Sequence, residues 1–459
     1  MDGIQVNLLR WLVNLCKLNT PHWERQFMSN RADGIIAEFC VEKGLYTVGI
    51  FESGVTVYSQ QVRAHNLVSA LSEKADHSQP ESWAVIGGGI AGLTTAACAL
   101  ALFPSVKVTL FERQWELCSM QLGSDSRWLH PRIYDWPSEG SRAPSASLPI
   151  LNWKEGRASD VSRQIIGRFS DLAERHPGRL SIILGARHLK IRENGTQIEW
   201  LGHPANIEGG FLKFEQPLGA QKKFDKTFLA TGYGLEQKAS VSLANSYWEN
   251  DEIGQPFFDG RRQAYLISGS GDGALIDLCR LCISRFRQDT IVYELLGKAI
   301  ERREKALRGL RDEIILDREN TFSIFERHFF EDYEYVIDAL KKRLRNDTTV
   351  IMHLSGHPDR PNDSMADTLR APTSFLNKFL FFALYKAGAF VPAFGEIDAI
   401  AEEFGVDASS VLVRHGADRE KNLIQLFGES SDLLAKVRNH GAGSTQKSER
   451  CWTPGSIPV

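Results

Sequence analysis

Three glycines early in the chain have the spacing that a dinucleotide-binding turn requires. Gly87, Gly89 and Gly92 follow an apolar run in the pattern G-x-G-x-x-G. The first glycine allows a sharp turn, the second leaves room for a pyrophosphate, and the third lets the following helix approach the sheet. That helix starts at Ile90 and Ala91, and its free N–H groups would face the phosphates.

An acidic residue follows at the distance that this motif requires. The apolar run from Val106 to Phe111 predicts a second strand, which ends in Glu112 and Arg113. Glu112 lies 25 residues after Gly87 and would accept hydrogen bonds from a ribose diol, with Arg113 as a neighbouring cofactor contact. Since strand, turn, helix and acid agree, we interpret this stretch as a dinucleotide-binding unit.

Two later strand ends also have small residues at positions where a ligand could approach. One predicted strand ends in Thr231 and Gly232, where small side chains let the backbone come near a flat ligand. Another, over residues 264–268, runs into a Gly-Ser-Gly-Asp-Gly turn that contains Gly271 and Asp272 and leads into a helix.

These elements resemble those of FAD-dependent oxidoreductases, including flavoproteins with two dinucleotide-binding sites. Asp225 with the run Leu229–Tyr233 is similar to the D-x₃-L/F-A-T-G-Y element of N-hydroxylating flavin monooxygenases. The resemblance implies FAD at the first turn and a contact from Asp272 to its ribityl chain or phosphates. The alternative assigns the turn at Gly271 to a nicotinamide nucleotide, although Asp272 would then face phosphate.

The chain departs from the two-site family because no second G-x-G-x-x-G lies between Glu112 and Asp225. The source of electrons therefore stays open. The substrate itself would reduce the flavin, as in amine or amino-acid oxidases, or NAD(P)H would bind transiently, as in single-component aromatic hydroxylases.

The segment from Ser124 to Trp136 is the best candidate for the wall of a substrate pocket, since it contains cations, a histidine, a tyrosine and two tryptophans. Arg127 or Arg132 would lie near flavin or a substrate carboxylate, and His130 or Tyr134 would carry a proton. The alternative is structural, with aromatic residues packing a long loop and the arginines pairing with nearby aspartates.

Composition excludes several other classes of protein. The net charge is −3, and basic residues alternate with acids, so a nucleic-acid-binding surface is not expected. Seven scattered cysteines do not form a disulfide framework, and no secretory signal is present, so we expect a cytoplasmic protein. Cys279 and Cys282 lie in an apolar helical pattern that predicts buried core thiols. No cysteine or histidine spacing predicts a metal site.

The expected fold class is α/β, with a Rossmann-like FAD-binding domain that contains a β-meander. A mainly helical C-terminal region follows, and we expect it to pack with the N-terminal extension. The expected domains are residues 1–80, 81–289 (FAD binding), 290–440 (mainly helical) and 441–459 (a flexible tail). Within residues 1–80 we expect an amphipathic helix over 4–15, a hairpin formed by 45–51 and 55–58, and a helix over 60–73.

The sequence thus predicts a cytoplasmic FAD-dependent oxidoreductase, with monooxygenase or amine/amino-acid oxidase activity as the options. It would transfer a hydride from a small-molecule substrate, or from NAD(P)H as a transient co-substrate, to flavin. Rival interpretations are an NAD(P)-binding oxidoreductase without flavin and a non-catalytic nucleotide-binding sensor or scaffold. The long terminal extensions leave room for a second copy or a protein partner; no integral membrane segment is expected.

Overall fold

The computed structural model describes residues 22–459, except 193–194, 233–241, 258–259, 357–358, 360, 430, 444–445, 453–454, 456 and 458–459. The predicted amphipathic helix of residues 4–15 lies outside the described residues, as does Tyr233. Two parallel sheets organise the chain, and helices cover their faces.

The first sheet is parallel at its centre and antiparallel at both sides. The strands of the first half of the chain are β1 (Cys40–Glu42), β2 (Leu45–Thr47), β3 (Ser82–Ile86), β4 (Lys107–Phe111), β5 (Trp128–Leu129), β6 (Gly156–Arg157), β7 (Leu180–Arg192), β8 (Gln197–Glu208), β9 (Phe211–Phe214), β10 (Leu218–Lys223) and β11 (Lys226–Leu229). The sheet order is β1-β2-β11-β3-β4-β7-β8-β10, β9 pairs with β8, and β5 and β6 form a separate pair. β2, β11, β3, β4 and β7 are parallel neighbours, whereas β8 pairs antiparallel with β7, β9 and β10. The third strand of the predicted meander, over residues 224–230, is instead β11 and lies parallel to β3.

The central strands are apolar on both faces because both faces are covered. On β3, Trp83 and Val85 pack into one core, while Ala84 and Ile86 pack into the other. The helices of this half are α1 (His22–Phe39), α2 (Val57–Lys74), α3 (Ile90–Leu102), α4 (Ser119–Leu122) and α5 (Ala158–Glu174).

A second, fully parallel sheet corrects the predicted domain organisation. It contains β12 (Gln263–Ser268), β13 (Thr348–His353), β14 (Val391–Ala393) and β15 (Val411–Val413), in the order β14-β13-β12-β15. The sequence analysis placed the strand of residues 264–268 in the FAD-binding domain, whereas it lies at the centre of this separate sheet. Apolar patterning predicts a strand, but it does not identify the distant strands with which it pairs.

The helices of the second half surround this sheet and share a phenylalanine-rich core. They are α6 (Asp272–Cys282), α7 (Gln288–Leu296), α8 (Ile300–Leu316), α9 (Thr321–Glu331), α10 (Glu334–Lys341), α11 (Pro361–Arg370), α12 (Phe375–Lys386), α13 (Ile397–Phe404), α14 (Arg419–Phe427) and α15 (Asp432–Gly443). Phe325, Phe329, Phe379 and Phe382 pack against one another in this core. The region is therefore rich in helix, as predicted, but it encloses a sheet.

The N-terminal extension belongs to the first sheet. A hairpin was predicted from residues 45–51 and 55–58, but β1 and β2 form the observed hairpin. Val57 instead begins α2, because Thr56 accepts a hydrogen bond from Ser59 N–H and Ser59 Oγ accepts one from Thr56 N–H. This reciprocal cap starts a helix where the β-branched residues indicated a strand.

The end of the chain packs onto this same extension. Gln446 is buried, and its side chain accepts a hydrogen bond from Gly49 N–H (2.7 Å) and donates one to the Thr47 carbonyl (3.0 Å). Asn66 on α2 donates to the carbonyls of Lys447 and Glu449. The tail that the sequence analysis expected from residue 441 is docked at these positions rather than loose.

Within the described ranges, no helix is long and apolar enough to pass through a lipid bilayer.

Candidate functional site

A cavity of about 760 Å³ lies at the carboxyl ends of strands from both sheets. Its first wall contains Gly87, Gly89 and the start of α3, and its far wall contains Asp272, Gly273 and Ile276 at the start of α6. In open parallel sheets, ligands bind at the carboxyl ends of the strands. The cavity is therefore the natural place for a dinucleotide and its reaction partner.

The first glycine turn has the geometry expected from its spacing. Gly87 has φ +113°, and a Cβ there would overlap the carbonyl of Ala230 on the neighbouring strand. A Cβ on Gly92 would overlap the carbonyl of Gly87, so this glycine brings α3 close to the turn. Both positions require glycine for steric reasons.

The second glycine opens the turn towards the cavity. Gly89 precedes α3 in an extended conformation, and no described atom lies within 4 Å of a Cβ built on it. No described side chain caps this helix, and Ile90 and Ala91 line the cavity beside it. The start of α3 thus presents backbone N–H groups to an anionic ligand.

The acid that follows β4 lies against the turn. Glu112 accepts hydrogen bonds from Gly88 N–H (2.6 Å) and from Gln114 N–H (2.7 Å), and it lines the cavity. Arg113 also lines the cavity and donates to Asn422 and to Gln425 on α14. The structure brings both predicted residues together with the glycines.

Thr231 and Gly232 lie across from this turn, at the carboxyl end of β11, and both line the cavity. The Thr231 hydroxyl is buried and has no hydrogen-bond partner among the described residues. A buried hydroxyl without a partner is unfavourable, and a polar ligand in the cavity would satisfy it. Together with the open Gly89 and the acidic Glu112, it fits the polar parts of FAD.

Two of the four predicted catalytic residues reach the cavity. His130 and Tyr134 line it, and the His130 ring lies 3.2 Å from a Glu155 oxygen. His130 Nδ1 accepts hydrogen bonds from the backbone N–H groups of Arg132 and Ile133, and burial lowers the pKa of His130. Its ring is therefore neutral and fixed near neutral pH.

The two predicted arginines are absent from the cavity wall. Arg132 pairs with Asp135 at 3.0 Å near the surface, as the structural interpretation expected. Arg127 is buried, pairs with Asp277 and with Asp251 (2.7 Å), and lies over the Tyr247 ring. The expectation that either arginine contacts flavin or a substrate carboxylate is therefore corrected, because each is committed to an aspartate.

The buried aspartate joins several segments through one ionic cluster. Asp277 on α6 is paired with Arg127, with Arg280 and with Arg414, which follows β15. These guanidinium groups hold the pKa of Asp277 well below its usual range despite its complete burial. The cluster connects the segment after β4 to the second sheet, and so it fixes two walls of the cavity relative to each other.

Gly271 and Asp272 belong to the second sheet, which changes the role expected from resemblance. Asp272 Oδ1 accepts hydrogen bonds from Ser374 N–H (2.9 Å) and from the Asn377 amide (2.6 Å) at the start of α12. Burial raises the pKa of Asp272. Asp272 still lines the same cavity as Gly89, but Gly271 does not, and neither extends the FAD-binding turn.

The two sheets have the same central arrangement. Ile86 pairs with Phe111 on β4 and Leu229 on β11, while Ser268 pairs with His353 on β13 and Val413 on β15. The order β7-β4-β3-β11 thus corresponds to β14-β13-β12-β15.

The register therefore makes Gly269 the counterpart of Gly87. Gly269 has φ +140°, and a Cβ there would overlap the carbonyl of Arg414, the counterpart of Ala230. Gly271 begins α6 in the extended conformation of Gly89, with no described atom near its missing Cβ. Ala274 takes the third position, so the second turn reads G-x-G-x-x-A.

Several cavity residues were missed by the sequence analysis. They are Val55, Thr56, Val57 and Gln60 in the N-terminal extension and Tyr247, Trp248, Glu249 and Asn250 before β12. For the first group, the available signal was the Thr56-x-x-Ser59 cap before an apolar helix. The second group lies in a loop without a motif.

Two further groups of side chains, one polar and one of cysteines, have structural surroundings. Ser268 Oγ lies 2.7 Å from His353 Nδ1 and 2.8 Å from His415 Nε2, at the end of the second sheet. Cys279 and Cys282 are buried, and burial raises the pKa of both thiols, as expected for core residues. No group of metal-binding side chains occurs in the part of the chain that is described.

Comparison with protein families identifies the first dinucleotide-binding region. The model of the family described as FAD dependent oxidoreductase matches residues 82–201. This part of the chain is similar to the FAD-dependent oxidoreductases. The match confirms the predicted enzyme class and FAD as its cofactor.

Solved structures of flavoproteins are among the similar folds. Bacillithiol disulfide reductase Bdr (YpdA) from Staphylococcus aureus is 11% identical, with 69% of this chain and 67% of that chain covered and a TM-score of 0.32. A pyridine nucleotide-disulfide family oxidoreductase from Enterococcus faecalis is 10% identical over 68% of this chain and 44% of that one, with a TM-score of 0.24.

OTEMO in complex with FAD and NADP is 11% identical over 75% of this chain and 72% of that one, with a TM-score of 0.34. Comparison with curated protein sequences gave no match.

Proposed function

We propose that this FAD-dependent oxidoreductase takes electrons from a nicotinamide dinucleotide bound at the second glycine turn and delivers them to FAD at the first. The observation that supports this most directly is the pair of equivalent turns, at Gly87 and Gly269, in two sheets that border one cavity. A hydride donor and its acceptor must meet within contact distance, which a shared cavity allows.

The second turn keeps the features that a pyrophosphate needs. Gly271 is exposed and unobstructed, and α6 has no side-chain cap among the described residues. Gly416 and Ala417, which follow β15, line the cavity as Thr231 and Gly232 do after β11. A dinucleotide lying across this sheet would thus reach the cavity along the loop after β15.

Asp272 does not oppose this assignment. Its carboxylate is bound by Ser374 N–H and the Asn377 amide, at the positive end of α12. Those interactions compensate its charge, so it does not repel a phosphate as an uncompensated carboxylate would.

The chain's own residues bind and orient the reactants. When bound, FAD supplies the hydride acceptor and NAD(P)H supplies the donor. Glu112 and the start of α3 hold one nucleotide, while Trp153 and Leu129 give the cavity an apolar wall that excludes water. Neutral His130 can hold a hydrogen bond but is not charged near neutral pH. Oxygen or a small molecule would be the final electron acceptor, and a monooxygenase is one such case.

A second candidate function is oxidation of an amine that reduces FAD directly. Glu249 places a carboxylate on the cavity wall, where it would attract a cationic substrate. An amino acid fits less well, because both predicted carboxylate-binding arginines are committed elsewhere.

The deciding experiment is anaerobic reduction of the FAD-loaded protein, monitored by the flavin absorbance near 450 nm. We expect NADPH or NADH to bleach the flavin, and Gly269→Ala to slow that reaction while retaining FAD. Bleaching by an amine and by neither nicotinamide nucleotide would instead support the second candidate. A flavin that no donor reduces would favour a sensor or scaffold.

A cytoplasmic setting stays part of the proposal and is supported by free thiols at Cys40, Cys98 and Cys118. Association with a second copy or a protein partner also stays a prediction, which light scattering of the purified protein would test.

A further inference from the structure

The N-terminal segment contributes a strand to the sheet that binds FAD. β2 is parallel to β11 and in register with it, with Phe228 opposite Tyr46. The chain then passes through Gly49 and reaches the cavity again at Val55. These residues precede the glycine motif by about 30 positions, so nothing in the motif's own stretch indicates them.

The sheet order fixes the direction in which a dinucleotide extends from the first turn. The ribose-binding acid Glu112 follows β4, and the open Gly89 follows β3. The next strand is β11, which ends in Thr231, and the one after it is β2. A ligand with its adenosine at β4 and its pyrophosphate at β3 therefore continues over β11 and towards β2.

The N-terminal segment supplies part of the cavity wall. Val55, Thr56, Val57 and Gln60 all line the cavity, and Val57 and Gln60 are buried. Thr56 is already satisfied by Ser59 in the helix cap. The start of α2 therefore offers a shaped, largely apolar surface for a flat ring rather than a site for an anion.

We propose that residues 48–60 hold the isoalloxazine end of FAD. Two separate segments of the chain then bind the cofactor at the first sheet. Residues 87–112 bind the nucleotide, and residues 48–60, which precede them, bind the isoalloxazine ring. This assignment does not depend on the identity of the electron donor.

The turn that leads to this wall is held by the end of the chain. Gly49 has φ +66°, and a side chain there would overlap the amide of Gln60. Gln446 accepts from Gly49 N–H, donates to the Thr47 carbonyl and donates its own N–H to Glu52 (3.2 Å). We assign Gln446 as a positioning residue for the wall, since it touches the turn and does not line the cavity.

Two substitutions on opposite walls of the cavity test the proposal. Val57→Trp fills the wall assigned to the ring, and Ile276→Trp places the same side chain on the wall of α6. We expect Val57→Trp to raise the Kd for FAD about 100-fold, the size typical of overpacking a fitted contact. Ile276→Trp should leave that Kd within about threefold and slow only reduction by the donor.

The readouts are FAD fluorescence quenching and the rise in unfolding temperature that FAD causes. Val55→Trp, on the half-buried loop before α2, serves if the apo form of Val57→Trp does not fold. Gln446→Ala should weaken FAD binding less than either tryptophan and should red- or blue-shift the bound flavin spectrum, which loss of stability alone would not do.

Unchanged FAD affinity and spectrum in a folded Val57→Trp or Val55→Trp protein would overturn the assignment. If instead the wild-type protein binds FAD but no nicotinamide nucleotide reduces it, the proposed function fails while this assignment stands.

Discussion

The two glycine turns share a backbone and differ in the residue that follows the second strand. Gly87 and Gly269 both have positive φ. Gly87 lies against the carbonyl of Ala230, which follows β11, and Gly269 lies against the carbonyl of Arg414, which follows β15. After β4 the chain continues with Glu112, which lines the cavity, whereas after β13 the corresponding residue is Leu354, which is buried. The shared backbone supports the proposal of two dinucleotide-binding units, and the residue after the second strand would distinguish what each one recognises.

The polar residues at the second sheet's edge extend this difference. Ser268 and His353 occupy the positions of apolar Ile86 and Phe111, and they are hydrogen-bonded to each other. Thr231 has a buried hydroxyl without a described partner, whereas its counterpart His415 lies against Ser268. The first edge leaves polar groups for a ligand, and the second satisfies several of its own.

The largest expected effects come from alanine substitutions at the two glycine turns, which should impair different steps. Gly87→Ala should weaken FAD binding about 100-fold, because the added Cβ strains the backbone and overlaps Ala230. Gly269→Ala should slow flavin reduction by NAD(P)H by about the same factor and leave FAD bound. Equilibrium titration and stopped-flow absorbance measure the two. If Gly269→Ala releases FAD instead, the second turn serves the first cofactor and the comparison fails.

The ionic cluster around Asp277 joins the two sheets, and this joint should be the next most sensitive position. Asp277→Asn leaves buried arginines without their shared counter-charge, so we expect a loss of about 3–5 kcal/mol in unfolding free energy. Asp135→Asn, which breaks the exposed pair with Arg132, should cost less than about 1 kcal/mol. Urea denaturation measures both, and equal losses would contradict a special role for the joint.

The pH dependence of that joint follows from its charge. Since the pKa of Asp277 is held well below its usual range, its contribution is present above the unfolded value of about 4 and is lost only as pH falls towards the folded value. The stability difference between wild type and Asp277→Asn should therefore be constant from neutral pH to about pH 5. A difference that shrinks between pH 7 and 5 would contradict this.

A smaller effect is expected at the position that differs between the turns. Removing the carboxylate in Glu112→Leu should raise the Kd for FAD about 10-fold, as loss of charge-assisted hydrogen bonds predicts. Equilibrium titration with FAD measures this.

The corresponding position in the second sheet predicts which donor is used. Because Leu354 has no charge to repel a 2′-phosphate, NADPH should reduce the flavin at least as fast as NADH. Single-turnover rates with both donors test this, and a strong preference for NADH would contradict it.

The smallest effect is expected at His130. Gln can accept from the Ile133 N–H and donate to Glu155, so His130→Gln should lower the rate of reduction less than about fivefold. Its lowered pKa also predicts a titration midpoint below the ordinary histidine value of about 6.5. A loss of several hundredfold in the steady-state rate would restore His130 as the proton carrier.

Local signals in the sequence were sufficient for the first turn. Gly87, Gly92 and Glu112 could be predicted because the strand, the turn and the helix are consecutive in the chain. The partner of β12 could not, since parallel strands pair across long connections and β13 lies about 80 residues away. The equivalence of Gly269 and Gly87 depends on that pairing.

The walls of the cavity were predictable only in part. His130 and Tyr134 lie in an aromatic segment that composition indicated, but composition could not distinguish them from Arg127, which points into a buried cluster. Val57 was misread as part of a strand because its β-branched side chain outweighed the cap at Thr56. No local sequence pattern indicated Gln446, because its contribution depends on contact with Thr47 and Gly49, which are almost 400 residues away in the chain.

The hydrogen bonds between Gly49 and Gln446 join positions that are almost 400 residues apart. A ribosome would complete β3, the first glycine turn and both sheets before it releases the residue that secures the turn at Gly49. Secure binding of the coenzyme should accordingly be a late event in biosynthesis, and nascent chains halted before Gln446 should bind FAD more weakly than the full chain does.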